Sequence, residues 1–269
     1  MLQSSKRSDF KIITINPEKQ EGIEQIITAF DQQGSVFKNF YKRNTLKTIA
    51  LYEETVMVKS FKVPGLFKRY IYGSFRKSKA RRSYENSVKL AQLGIRVPAP
   101  IAYAERIVKG QLYESFYFSK FENKTFTVHD VLLKKVEIDQ VKLLQAFTAY
   151  TYQLHQKGIL HLDLTPGNIL VSATDSGFEF SLVDVNRMKF QNRAIPPARA
   201  IENLGRLTEL PDAVKVILDT YSEVSKTPRE ILQQRFESSV RCYQGYRKLK
   251  AKVKGFFKNK KLHTVTSLN

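Results

Sequence analysis

Apolar and polar positions alternate in the first part of the chain. Short β-branched and aromatic runs at 11–15, 48–51 and 55–61, separated by polar turns, predict an antiparallel meander over residues 10–63. The period then lengthens. Ser78 precedes a stretch in which Ala80, Tyr84, Val88 and Ala91 recur at helical spacing, and Gly94 stands where helices commonly end, so one amphipathic helix is predicted over 78–93. Pro98 and Pro100 exclude further helix, and the alternating segment 114–120 predicts another strand. From Asp139 a stripe of Leu143, Phe147, Tyr150 and Leu154 predicts a core-facing helix that stops at Gly158. The remainder is helical in pattern apart from short strands at 169–171 and 178–183. A β-rich portion to about Glu122 followed by a helix-rich one gives an α+β chain of two lobes, 1–122 and 123–269.

Composition narrows the partners more than the fold. At 269 residues, 42% hydrophobic and 12% aromatic, the chain is long and apolar enough to bury a core without disulfides, which excludes a wholly disordered protein. Its one cysteine, Cys242, excludes an intramolecular disulfide and a cysteine zinc cluster and suits a reducing compartment. There is no secretory-type apolar leader in MLQSSKRSDF and no run of 18 apolar residues, so a cytosolic or peripheral protein is expected. Lys+Arg number 45 against 25 Asp+Glu, a formal charge of +20, and such an excess favours an anionic partner.

The chemistry concentrates in HLDLTPGNILV, residues 161–171, and SLVDVN, residues 181–186. Asp163 supplies a carboxylate, Asn168 an amide oxygen five residues on, and Asp184 a second carboxylate at the end of an apolar strand. Magnesium prefers a carboxylate or two plus phosphate and water, so Asn168 and Asp184 can hold metal on a nucleotide while Asp163 orients an acceptor hydroxyl. The pattern His-x-Asp-x-x-x-x-Asn, then a strand and Asp, resembles the catalytic and metal-binding segments of the protein-kinase-like superfamily. Upstream, Val56-Met57-Val58-Lys59 resembles the strand whose lysine holds the α- and β-phosphates, and Glu85 lies where that lysine's carboxylate partner belongs.

Within that superfamily the chain is identified as a member of the lipopolysaccharide kinase family, the Kdo and heptose kinases, also described as InaA-like. The likeness is carried by VKSFKVPG at 58–65, FRKSKARRSYE at 75–85, LGIRVPAPIAY at 93–103, LHQKGILHLDLTPGNILV at 154–171 and SLVDVNRMKF at 181–190. It implies a protein-kinase-like fold with a small antiparallel β-rich lobe and a mainly helical one. It also implies transfer of a phosphoryl group from MgATP to a sugar hydroxyl of the lipopolysaccharide inner core. The acceptor would be a lipid-linked sugar, and the place of work the cytoplasmic face of the bacterial inner membrane. Lys59, Glu85, Asp163, Asn168 and Asp184 would form the catalytic set, with ATP and Mg²⁺ as cofactors.

The departures from protein kinases are specific. Leu162 replaces an arginine that reads a phosphorylated loop, Thr165 replaces the lysine of Ser/Thr-specific enzymes, and Val185-Asn186 follows Asp184 in place of Phe-Gly. No GxGxxG exists; Gly34, in DQQGSVFKNF, stands ahead of the lysine strand, so cover for the γ-phosphate is sought near Gly34 to Phe37 or at Lys38 and Lys42. Two basic tracts, 66–83 and 246–262, carry cations interleaved with apolar residues and no acid, which suits an anionic membrane surface or lipid acceptor; nucleobase stacking ranks below that. Gly255 is expected to interrupt any long helix in the second tract. Competing readings are a non-catalytic, pseudokinase-like nucleotide- or membrane-binding module and a kinase of another small molecule.

Overall fold

The structure is a computed structural model that describes residues 10–40, 44–63, 65–123 and 125–266, with side chains described throughout these except at 38–40, 67 and 252–266. The strands are β1 (Phe10–Thr14), β2 (Ser35–Phe40), β3 (Asn44–Leu51), β4 (Glu54–Phe61), β5 (Pro100–Val108), β6 (Gln111–Lys120), β7 (Phe126–Thr127), β8 (Ile159–His161), β9 (Ile169–Thr174), β10 (Gly177–Leu182) and β11 (Met188–Phe190). The helices are α1 (Gln20–Thr28), α2 (Leu66–Tyr70), α3 (Lys79–Gln92), α4 (Val128–Leu132), α5 (Gln140–Gln156), α6 (Pro197–Ala200), α7 (Pro211–Ser225) and α8 (Arg229–Thr266). By contacts the chain divides into two compact units, Met1–Thr127 with Asn168–Met188, and Val128–Gly167 with Lys189–Asn269.

The first unit is organised by a six-stranded antiparallel sheet in the order β1-β5-β6-β4-β3-β2. Side chains along a strand alternate between faces, and here each face receives a helix. Val56 and Val58 pack with Ile23, Ile26, Ile27 and Phe30 of α1 and its end. Phe61, of opposite parity on β4, packs with Ala80 and Tyr84 of α3 and with Tyr103. Lys59 has the parity of Phe61, which aims it at the α3 face. The segment 10–63 is therefore not a simple meander: α1 interrupts it, and β1 leaves its neighbours in sequence to pair with β5. Helix α1 forms because Ile23, Ile26 and Ile27 share one face, and Lys47 closes its end by donating to the carbonyls of Phe30, Asp31 (3.2 Å) and Gln33 (3.0 Å). Helix α3 matches its expected span within a residue. Ser78 caps it, accepting from the Arg81 amide at 3.0 Å, a contact worth about 1 kcal/mol.

A smaller sheet in the same unit, β10-β9-β7, holds the hairpin that carries the later motifs. Leu182 faces Ile169, so the hairpin's open end places Asn168 beside Val183, whose amide donates to the Asn168 carbonyl at 3.0 Å.

The second unit is helical. Asp139 caps α5 by accepting from the amides of Val141 and Lys142, both at 3.0 Å. Leu143, Phe147 and Leu154 of the expected stripe are buried, and α5 packs against α7. Helix α8 starts at Arg229 with Leu232 and Phe236 buried and continues through Gly245 and Gly255. The expected interruption at Gly255 does not occur, because a single glycine lowers helix stability by only about 1 kcal/mol relative to alanine.

Candidate functional site

Asp184 follows β10 with φ +56, a left-handed conformation that costs a residue bearing a Cβ about 1 kcal/mol. Its surroundings hold it there. Lys59 Nζ lies 2.8 Å from Asp184 Oδ1, and the Asn186 side-chain amide donates to the same oxygen. Helix α3 grips the two residues that follow: Asn86 Nδ2 donates to the Val185 carbonyl at 2.7 Å and Arg82 Nη1 to the Asn186 carbonyl at 3.1 Å. The Val-Asn sequence in place of Phe-Gly is thus a segment anchored through its carbonyls to the helix. Lys59 is largely buried, its side chain 11% exposed, with its ammonium 5.2 Å from the Phe61 ring. Its cross-strand neighbour Tyr117 shares a hydrogen bond with Ser87 at 2.9 Å; burial pushes the Tyr117 hydroxyl up to about 12, so it stays neutral.

Glu85 is placed differently from expectation. It accepts from Lys77 at 2.7 Å and from Arg81 Nε at 2.8 Å, while Lys59 is paired with Asp184. The physical reason lies in the face of α3 that meets the sheet. Tyr84 occupies that face, packed on Phe61 and Tyr103, so Glu85, one residue on, turns toward the cations beside it. Burial pushes the Glu85 carboxyl up, and the hydrogen bonds from Lys77 and Arg81 more than reverse this, leaving it below the usual carboxylate range. Gly34 opens β2 at φ +76, and a Cβ there would lie 2.7 Å from the Thr48 carbonyl, so its backbone and close packing account for the glycine. The tip of the β2–β3 hairpin, with Lys42, and the Lys38 side chain lie outside the described residues.

In the second unit, Asp163 follows β8. Its amide donates to His161 Nδ1 at 3.1 Å, and a chain of hydrogen bonds leads back from His161 into the core. Asn203 Nδ2 donates to the His161 carbonyl at 2.9 Å, and its Oδ1 lies 3.3 Å from His155 Nε2; His155 Nδ1 lies 2.8 Å from the Tyr221 hydroxyl. With Asn203 Oδ1 able only to accept, His155 carries its proton on Nε2 and accepts from Tyr221. Burial lowers the His155 pKa to about 4, which keeps the ring neutral. The Asp163 carboxylate meets Arg206 Nη2 at 2.6 Å.

Of the expected residues, the structure pairs Lys59 with Asp184, sets Asn168 at the open end of the hairpin that leads into Asp184, and separates Glu85 from Lys59. The sequence reading missed Asn186, Asn86, Arg82 and Arg206. Asn186 and Arg82 stand inside segments already singled out, SLVDVN and FRKSKARRSYE, and Asn86 and Arg206 gave no local signal. Among the described residues no group of three or more His, Cys, Asp or Glu is placed to hold a metal ion. Asn168 and Asp184 offer one amide and one carboxylate oxygen, a set that fits a hard cation whose remaining ligands are phosphate and water.

Comparison with known proteins agrees with this architecture. The profile of the lipopolysaccharide kinase (Kdo/WaaP) family matches residues 28–215. A solved structure described as WaaP in complex with acyl carrier protein superposes with a TM-score of 0.57 at 17% identity, covering 87% of this chain and 99% of that one. WbdD in co-crystals with a kinase inhibitor gives a TM-score of 0.45 at 18% identity over 78% of this chain and 46% of that one, and a MAP kinase from Leishmania major gives 0.41 at 13% over 82% and 66%. No curated protein matches the chain in sequence. The WaaP superposition shows the kinase-like α+β fold, and the profile match over residues 28–215 carries the rest: the chain belongs to the lipopolysaccharide kinase (Kdo/WaaP) family and is a kinase.

Proposed function

We propose that the protein transfers the γ-phosphoryl group of ATP to a sugar hydroxyl, on Kdo or heptose, in the inner core of lipopolysaccharide at the cytoplasmic face of the membrane. The observation that carries the reading is the Lys59–Asp184 pair, which joins the phosphate-holding lysine to the metal-holding aspartate. Residues 1–122 form the nucleotide-binding lobe, and 123–269 carry the catalytic and metal-binding segments. Lys59 exchanges Asp184 for the α- and β-phosphate oxygens when nucleotide enters. Asn168 and Asp184 hold magnesium, which supplies charge neutralisation on the phosphate oxygens. The β2–β3 hairpin, opened by Gly34, covers the phosphates. Asp163 orients the attacking hydroxyl and takes its proton as the new O–P bond forms and the bond from phosphorus to ADP breaks. Because such transition states are loose, alignment and charge placement account for most of the acceleration.

The basic tract 66–83 suits recruitment to anionic lipid. Leu66, Tyr70 and Phe75 are exposed, Phe75 to 88%, beside exposed Lys68, Arg76 and Lys77. Arg82 does a different job, since its guanidinium is engaged with Asn186. In the second tract Leu249 is exposed, and the side chains from 252 onward lie outside the described residues.

The test uses the purified full chain with MgATP and Kdo–lipid A, reading product mass. Addition of one phosphate that disappears in Asp163→Asn is expected; equal product from that variant rejects the assignment. In the same preparation, Arg76→Glu with Lys77→Glu is expected to weaken co-sedimentation with phosphatidylglycerol vesicles, at about 1 kcal/mol per cation removed. Undiminished co-sedimentation at low salt removes the recruitment surface.

A further inference from the structure

The residue that meets Asp163 is held from three directions. Arg206 follows Gly205 at the end of the 3₁₀ turn Ile201–Leu204. Its Nη2 reaches Asp163 Oδ1 at 2.6 Å, its Nη1 donates to the Leu162 carbonyl at 3.1 Å, and its guanidinium carbon lies 4.5 Å from the centroid of the Tyr243 ring. Exposed ion pairs are usually mobile and contribute little. This one is not free to wander: the planar fork is fixed by a carboxylate, a carbonyl and an aromatic face together, an arrangement a lysine cannot reproduce.

Tyr243 belongs to α8, and the way α8 is seated explains why the ring stays in place. Leu232, Phe236, Ser239 and Tyr243 recur at helical spacing and share one face. Leu232 and Phe236 are buried. One turn on, a Cβ built on Gly205 would lie 2.0 Å from Ser239 Oγ and 3.3 Å from Ser239 Cβ, so the missing side chain lets the helix pack closely with the Ser239 hydroxyl where it is. The next turn brings Tyr243 under Arg206. Meanwhile the Asp163 backbone is held by the separate chain through His161, Asn203, His155 and Tyr221. That chain acts on the main chain, whereas Arg206 Nη2 meets the carboxylate itself.

We propose that Arg206 is a positioning residue that sets the direction of the Asp163 carboxylate, and that α8, through Tyr243, is part of the catalytic machinery. This rests on the reading of Asp163 as the group that takes the acceptor proton. It assigns the C-terminal helix a role in the chemical step that neither its basic composition nor the matched family residues 28–215 contain.

The experiment compares Arg206→Gln, Arg206→Lys, Tyr243→Leu and Tyr243→Phe in the full chain. Turnover is measured with MgATP and Kdo–lipid A and, with water as acceptor, by phosphate release. Arg206→Gln is expected to lower kcat about 100-fold with KM for ATP and the thermal shift produced by MgATP unchanged, the scale of loss that follows a misplaced reacting group. Arg206→Lys recovers part of that loss. Tyr243→Leu lowers kcat about fivefold, the scale of a lost cation–π contact, and Tyr243→Phe, which keeps the ring face, does not. In an Asp163→Asn background, read on the residual phosphate release from MgATP, Arg206→Gln causes no further loss, because both changes remove one function. Turnover within twofold of wild type in Arg206→Gln, or losses that add in the double variant, overturns the proposal. If Arg206→Gln does not fold, equal turnover in Tyr243→Leu and Tyr243→Phe overturns it instead. Full activity in Asp163→Asn alone is a different result: it rejects the assignment of Asp163 and leaves this pairing without a catalytic group to position.

Discussion

Asp184 and Asp163 are each met by a cation, but the cations differ in kind and so do the structures that hold the carboxylates. Asp184 is held mainly through the backbone around it, a left-handed φ and the Val185 and Asn186 carbonyls gripped by Asn86 and Arg82 of α3, while its carboxylate also accepts from the Asn186 side-chain amide. Its cation, Lys59, is a compact point charge on a flexible stem that can move from carboxylate to phosphate by rotating a few bonds. Asp163 has the opposite arrangement, with its carboxylate held by an arginine that is itself clamped. On the proposed function, the difference teaches that an exchangeable pair suits the place where nucleotide enters, and a fixed pair the place where a side chain keeps one direction.

The comparison breaks first at Asp184. Asp184→Ala is expected to reduce phosphoryl transfer by about 10³-fold or more, and Lys59→Met by a comparable factor, with the melting transition retained in both. A Lys59→Met protein with wild-type turnover and unchanged ATP affinity would remove the exchange and leave Lys59–Asp184 as a structural pair.

The second unit is open to a test by pH. The folded-state pKa of His155, about 4, lies below its ordinary value of 6.5 because the ring is buried. Between those values the unfolded chain binds a proton that the folded one does not. Stability is therefore full above about pH 6.5 and falls as the pH is lowered toward 4, by up to about 3 kcal/mol from this group. Urea unfolding across that window reads the slope directly, and His155→Gln should flatten it; an unchanged slope would exclude His155 as the source.

The smallest effect sharpens the contrast from the other side. Asn86→Ala frees the Val185 carbonyl and is expected to lower turnover about tenfold while raising the magnesium concentration needed for half-maximal rate, with about 1 kcal/mol lost in stability. A magnesium titration separates this from simple destabilisation, since an unshifted midpoint would mean that the grip of α3 does not steady Asp184.

Much of this is legible in the sequence, for local reasons. The helix over 78–93, the stripe of Leu143, Phe147 and Leu154, and the strands around 55–61 and 114–120 follow from periodicity over a few turns or residues. Helix α1 was lost in the β-branched composition of its region, although Ile23, Ile26 and Ile27 carry the helical spacing. Glu85 was correctly placed on its helix and wrongly partnered, because a one-residue difference in facing separates it from the position Tyr84 occupies. Gly34 has a backbone reason for being glycine that a search for phosphate loops does not reveal.

By itself the sequence determined which chemical groups exist and in what order: a lysine on an apolar strand, an aspartate and an asparagine five residues apart, and an aspartate ending a short strand. Covalent spacing alone constrains such patterns, so they survive without a structure. Tertiary structure decided which cation meets which carboxylate, that Asn86 and Arg82 reach the residues after Asp184, and that Tyr243 lies beneath Arg206. Those choices depend on strand parity, on helix facing and on how closely one backbone can approach another. A charge or a ring finds its partner through space, and no interval along the chain encodes that meeting.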